Sequence, residues 1–212
     1  MTLRTSTCRV AIAMVCTMPS APVQAQSIMH KVREEPVRSL ASLPWTTLAS
    51  DSRGDGLQAR LPDARELAYA IDPDGNTVWF KVTVYEPLPE AWLGISVAID
   101  SDEDPNNGAV WWGTNKIKFD RLASAFVFRT GDEWQGYAGV GDSDSIARGD
   151  MTNLTRDVRI AVNRDDRWIA LGVPRASLGP RPTVRVIATV GSMVANNDDV
   201  PSDGMVSVTL RR

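Results

Sequence analysis

Four carboxylates, two asparagines and two adjacent tryptophans crowd the stretch "DSDEDPNNGAVWWG", residues 100–113. Asp100, Asp102, Asp104 and Asn106 recur at intervals of two, and Gly108 relaxes the backbone behind them. Alternating oxygen donors on a tight loop suit calcium, which takes six to eight oxygens at about 2.3–2.6 Å. The loop is not an EF-hand, because Pro105 stands where that motif needs glycine and Trp111 where it needs the closing glutamate. Crowded carboxylates repel one another, so either a cation or full solvation must relieve them, and both readings stay open. Asp142 and Asp144, in "GVGDSDSIARGD", form a second acidic pair that would complete the same site or hold another ion.

Trp111 and Trp112 carry a different chemistry. Neighbours on a strand point to opposite faces, so alternation sends one ring to the core and leaves the other on the surface beside Asn115 and Lys116. A flat ring flanked by amide and ammonium donors suits the apolar face of a pyranose sugar. Trp79 and Tyr85 fall on the polar side of their own alternating segment and are further candidates for that surface.

Much chemistry is excluded. The single histidine, His30, lies near the N-terminus, so a His-based triad and a two-histidine zinc site have no residues to build on. Both cysteines, Cys8 and Cys16, fall inside an N-terminal segment read below as cleaved. No Gly-rich phosphate loop and no Gly-x-Ser-x-Gly occurs. What remains for catalysis is a carboxylate pair of the kind glycoside hydrolases use, which needs one acid in an apolar setting and a fixed separation from the other. Most of the 26 acids sit in turn-like sequence, so the chain reads as a non-enzyme.

The segments that must position these residues alternate with period two. In "TVWFKVTVY", Val78, Phe80, Val82 and Val84 share one face. The same pattern turns Leu93, Ile95, Val97 and Ile99 inward, as it does Phe126 with Phe128, Val158 with Ile160 and Val162, Val184 with Val186, Ala188 and Val190, and Val206 with Val208 and Leu210. Turn residues at 72–75 and 163–166 read as hairpin links, and Asp203-Gly204 precedes the last strand. Only "PRASLG", with proline at its start and glycine at its end, looks helical in the second half. Nine or ten strands and almost no helix predict an all-β fold, an antiparallel β-sandwich of jelly-roll type.

The 212 residues are 43% hydrophobic and 23% charged, which fits one substantial core. Residues 1–25 carry Arg4 and Arg9, an apolar run and Val23-Gln24-Ala25, the pattern of a signal peptide cleaved after Ala25. The protein is therefore expected to be exported, to the periplasm or beyond, and the run is too short for a transmembrane anchor. Residues 26–60 read as a leader arm and 61–212 as a single sandwich domain. After cleavage, 21 basic residues face 26 acidic ones, a balance that argues against nucleic acid as a partner.

The order "DARELAYAID", "TVWFKVTVYE", "LGISVAIDSDEDPNNG" and "WIALGVPRASLG" resembles the extracellular sandwich modules grouped as family 9 carbohydrate-binding modules and the DOMON-like domains. The resemblance covers residues 63–210. It implies a sandwich fold, structural calcium near the acidic loop on Asp100, Asp102 and Asp104, and a polysaccharide or oligosaccharide held by exposed aromatics. The alternative is a calcium-stabilised structural or protein-interaction module with no sugar ligand.

Overall fold

The computed structural model describes residues 29–58, 60–112, 116–147, 157–192 and 196–210. The cleavage expected at Ala25 lies outside them. Fourteen strands among the described residues, numbered in chain order, form an all-β antiparallel sandwich. One sheet has seven strands: β1 (His30–Lys31), β5 (Trp92–Asp100), β8 (Arg121–Thr130), β9 (Glu133–Asp142), β12 (Thr183–Gly191), β13 (Asn196–Val200) and β14 (Val206–Thr209). They run β1-β9-β8-β5-β12-β13, with β14 also paired to β12. The second sheet, β10-β11-β4-β3-β2, contains β2 (Thr46–Ser50), β3 (Ala64–Ile71), β4 (Thr77–Val84), β10 (Arg159–Asn163) and β11 (Trp168–Pro174). A small ribbon joins β6 (Ala109–Val110) to β7 (Lys118–Phe119). No helix among the described residues is long and apolar enough to cross a membrane.

The core between the two large sheets follows the period-two pattern. Leu93, Ile95 and Val97 of β5 pair across the ladder with Val127, Ala125 and Ala123 of β8. Ile95, Val97 and Ile99 pair on the other side with Val190, Ala188 and Val186 of β12. Cross-strand partners share a face, and these residues join Val78, Phe80, Val82 and Val84 of β4 in one buried cluster. Both hairpin links form: β3 turns into β4 through 72–76 and β10 into β11 through 164–167. "PRASLG" forms one 3-10 turn, Arg175–Leu178.

In β8 the phase differs from the sequence reading. Ala123, Ala125 and Val127 face the core, while Phe126 and Phe128 lie partly exposed on the outer side, Phe126 stacked on Tyr137 at 6.4 Å. A run in which every residue is apolar carries no phase of its own, and the pairing to β5 decides it.

The supposed leader arm is part of the fold. Residues 30–35 cross from one sheet to the other, His30 and Lys31 pairing with β9 and Glu34 bridging to Ile160. A one-turn helix α1 (Val37–Leu40) follows, and β2 closes the edge of the five-stranded sheet. Leu40 and Leu43 then cover the outer face of that sheet together with Trp45, burying Trp79, Ala161 and Ala170. This cover explains why both faces of β4 are buried, although alternation alone predicts one wet face.

Candidate functional site

The tandem tryptophans sit at the β6–β7 ribbon, which packs on the outer face of the seven-stranded sheet over Ala98, Leu122 and Ile187. Trp111 is 1% exposed and Trp112 38%. The expected division into one core ring and one surface ring therefore holds, but strand alternation is not its cause. Both residues follow β6 and the rings stack on each other, centroids 4.1 Å apart and planes 26° apart. Phe119 meets both rings edge-on. Trp111 is anchored further by its Nε1–H, which donates to Asp199 Oδ2 at 2.7 Å. Trp112 is thus an exposed ring held from beneath. Lys116 is exposed on the same ribbon, and Asn115 lies outside the described residues.

Two other candidate rings are committed to the fold. Trp79, 1% exposed, donates its Nε1–H to Asp72 at 2.7 Å and lies under the Arg159 guanidinium, so it is core rather than ligand surface. Tyr85 is half-buried, donates its hydroxyl to the Asp51 carbonyl oxygen at 2.8 Å and carries Arg53 over its ring.

The acidic loop is knit to itself. Asp100, 1% exposed, accepts from Arg185 Nε at 2.9 Å on one oxygen and from the Glu103 amide at 2.7 Å on the other. Asp102 accepts from the Asp104 amide and from Asn107 Nδ2, and these hydrogen bonds hold its carboxyl below the usual range. Asp104 accepts from the amide and the side chain of Asn106, whose own carbonyl takes Lys118 Nζ. Such side-chain-to-backbone bonds are how Asp and Asn build turns without a ligand. Asp120, which the sequence reading did not single out, places a carboxylate oxygen within 4.8 Å of those of Asp100 and Asp102. It accepts from the Ser101 amide and hydroxyl. Asp142 ends β9 and caps the short helix α2 (Ser143–Ala147) by accepting from the Ser145 amide at 2.8 Å. Asp144 is exposed in that helix's first turn. Neither joins the cluster around Asp100.

A second acidic cluster was not legible in the sequence as a group. Asp51, Asp55 and Asp198 each offer a carboxylate oxygen within 4.8 Å of the others, and Asp63 faces Asp198 from the end of the same 51–63 loop. Burial pushes the Asp198 carboxyl up to about 7; the Ala64 amide opposes the rise, while Asp63, Asp51 and Asp55 add to it. A carboxyl raised by burial beside other acidic side chains has the chemistry of a general acid. Asp198 and Asp63 are each less than a tenth exposed, however, so a polymeric sugar has no access to the pair. Among the described residues an open pocket of about 660 Å³ lies elsewhere, lined by Arg33, Arg159, Arg175 and Arg181. Arg159 is already paired with Glu35 at 3.1 Å and Asp72 at 3.5 Å.

Comparison with protein-family models, with characterised proteins and with solved structures returns no match.

Proposed function

We propose that the protein is a non-catalytic recognition module that binds a glycan over the Trp112 ring. The observation that carries this reading is the rigid presentation of that ring: Trp111 stacks beneath it, Phe119 fixes its edge, and 38% of the residue stays open. A pre-positioned aromatic plane loses little conformational entropy when a sugar stacks on it. Lys116, exposed on the same ribbon, supplies donors for ring hydroxyls. Export to the periplasm or beyond belongs to the same proposal and rests on the residue pattern of 1–25. A bound calcium ion belongs to it as a structural staple rather than as a reactant. The test is a glycan array followed by calorimetry, with calcium present. Wild type binding at least one oligosaccharide or polysaccharide, and Trp112→Ala losing that binding while staying folded, is the expected result; no binding to any glycan by wild type overturns the reading.

One observation favours a second reading. Val110, two residues before Trp112, is 46% exposed, so the ribbon shows an aliphatic side chain beside the aromatic one. A mixed apolar patch of this kind also suits a protein partner. Val110→Lys separates the two, because a charge there disrupts a protein interface and leaves stacking of a sugar on Trp112 intact.

A further inference from the structure

The two acidic clusters differ in how their charge is met. At the Asp100 cluster the protein supplies its own cation, Arg185, and amide or hydroxyl donors to each carboxylate. The cluster around Asp198 has a different accounting. Asp198 accepts from the Ala64 amide at 2.7 Å, Asp63 from the Gly54 amide at 2.7 Å and Asp51 from the Ser202 hydroxyl. Beyond these, Asp51 Oδ2 and Asp63 Oδ1 are fully buried and accept no hydrogen bond, on residues 9% and 8% exposed. The charges acting on Asp198 are Asp51 and Asp55, both of its own sign. Native proteins rarely bury carboxylate oxygens without a donor or a cation.

The location is also organised. The 51–63 loop, which links β2 to β3, is tied onto β13 by Asn197: its backbone and side-chain oxygens take the Leu57 and Gln58 amides, and its Nδ2 donates to the Pro62 carbonyl. Tyr85 holds the Asp51 backbone from the other side. The carboxylates therefore converge from two loop positions, one strand approach and one strand, on backbone that is pinned around them.

We propose that Asp51, Asp55, Asp63 and Asp198 form a divalent-cation site, calcium by class, that clamps the 51–63 loop onto β13. Oxygen is the only donor type present, which selects a hard cation over zinc or copper. Calcium suits an irregular cage of carboxylates at loop and strand, whereas magnesium demands near-octahedral geometry and gives up its water reluctantly. The proposal gives the calcium staple of the proposed function its place, and it does not depend on the sugar: a protein that takes calcium here and no glycan keeps this site and loses the glycan reading.

The test uses the purified protein stripped with EDTA and titrated with calcium chloride, read by calorimetry and thermal melting. One tight site and a melting temperature that climbs with the logarithm of calcium concentration are expected. Asp55→Asn, at an exposed position, keeps the fold and weakens calcium binding about tenfold or more; the Asp63→Asn/Asp198→Asn double variant abolishes it; Asp104→Asn leaves it unchanged. Magnesium at equal concentration gives a smaller shift. The proposal is overturned if calcium gives neither heat nor a melting shift. It is equally overturned if the response survives Asp55→Asn and the double variant but disappears in Asp102→Asn/Asp120→Asn, or if magnesium matches calcium.

Discussion

Trp111 and Asp199 stand 88 residues apart in the chain and are joined by a 2.7 Å hydrogen bond from the indole Nε1–H to the carboxylate. That bond ties the β6–β7 ribbon to the edge of the seven-stranded sheet, and it works against the burial that pushes the Asp199 carboxyl up. Trp111→Phe keeps most of the apolar contact and removes the only donor the indole has. It is expected to cost about 1 kcal/mol, the usual net worth of one hydrogen bond, because half-buried Asp199 keeps Thr189 as a second donor. Urea denaturation measures this, and an unchanged midpoint would show that the bond adds nothing.

Trp112→Ala should behave differently although the two residues are neighbours. Trp112 is partly exposed and contributes mainly a stacking contact, worth about 0.5–1.5 kcal/mol, whereas Trp111→Ala empties a buried site and costs about 3–5 kcal/mol. The same melts compare the pair. Equal costs would mean that the outer ring is as structural as the inner one, and would remove the ground for treating it as a ligand platform.

Asp100 and Arg185 form an asymmetric ion pair, the carboxylate 1% exposed and the guanidinium side chain 32%. Arg185→Met leaves a buried charge with the Glu103 amide as its remaining partner, and is expected to cost about 3 kcal/mol or more. Asp100→Asn keeps an acceptor for that amide and leaves a guanidinium that water can reach, so about 1 kcal/mol is expected. Reversal of this order in chemical denaturation would place the stabilising role on the turn that Asp100 caps rather than on the arginine.

Lys81 supplies a pH dependence. It lies among Trp45, Trp168, Glu66 and Asp166, and burial holds its pKa below 10.5 despite the two carboxylates. A lysine whose folded pKa is lowered costs stability while charged. As pH rises from neutral toward 10.5 the folded state loses that proton first, and the cost is relieved. Lys81→Met has no such cost to relieve, so its melting temperature relative to wild type should fall across this window. A constant difference would show that the ammonium is not strained at neutral pH.

Gly172 is where Trp79 crosses β11. A Cβ at that position would stand 2.7 Å from Trp79 Cη2. Gly172→Ala must therefore displace a buried indole that is also hydrogen-bonded to Asp72, and a loss of about 1–3 kcal/mol is expected. Thermal melting checks it, and the indole fluorescence should shift with the ring. A neutral substitution would mean that the ring has room to move.

The architecture was legible wherever apolar residues alternate with polar or small ones. β5 and β12 show it, because their inward residues Leu93 to Ile99 and Val184 to Val190 are spaced by two and flanked by residues that do not compete for the core. β8 resisted, since "SAFVFR" is apolar at both phases and its partner strand decides which set turns inward. Trp79 resisted for a related reason: alternation places it away from the core, but α1 and Trp45 build a second apolar layer there from residues 37–45, a segment with no strand periodicity. The acidic loop was visible because its residues are consecutive. The cluster of Asp51, Asp55, Asp63 and Asp198 was not, because 135 residues of chain separate its two halves.

By itself the sequence determined that this chain pairs strands into an antiparallel sandwich and that a turn rich in aspartate follows β5. These are consequences of local spacing, since period two fixes a face and Asp and Asn next to glycine fix a turn. Only the tertiary structure decided that Arg185 and backbone amides neutralise that turn, and that two buried carboxylate oxygens without a donor, on Asp51 and Asp63, lie where the β2–β3 loop meets β13. Electrostatic balance depends on distance in space, and residues remote in sequence become charge partners only once the two sheets are packed.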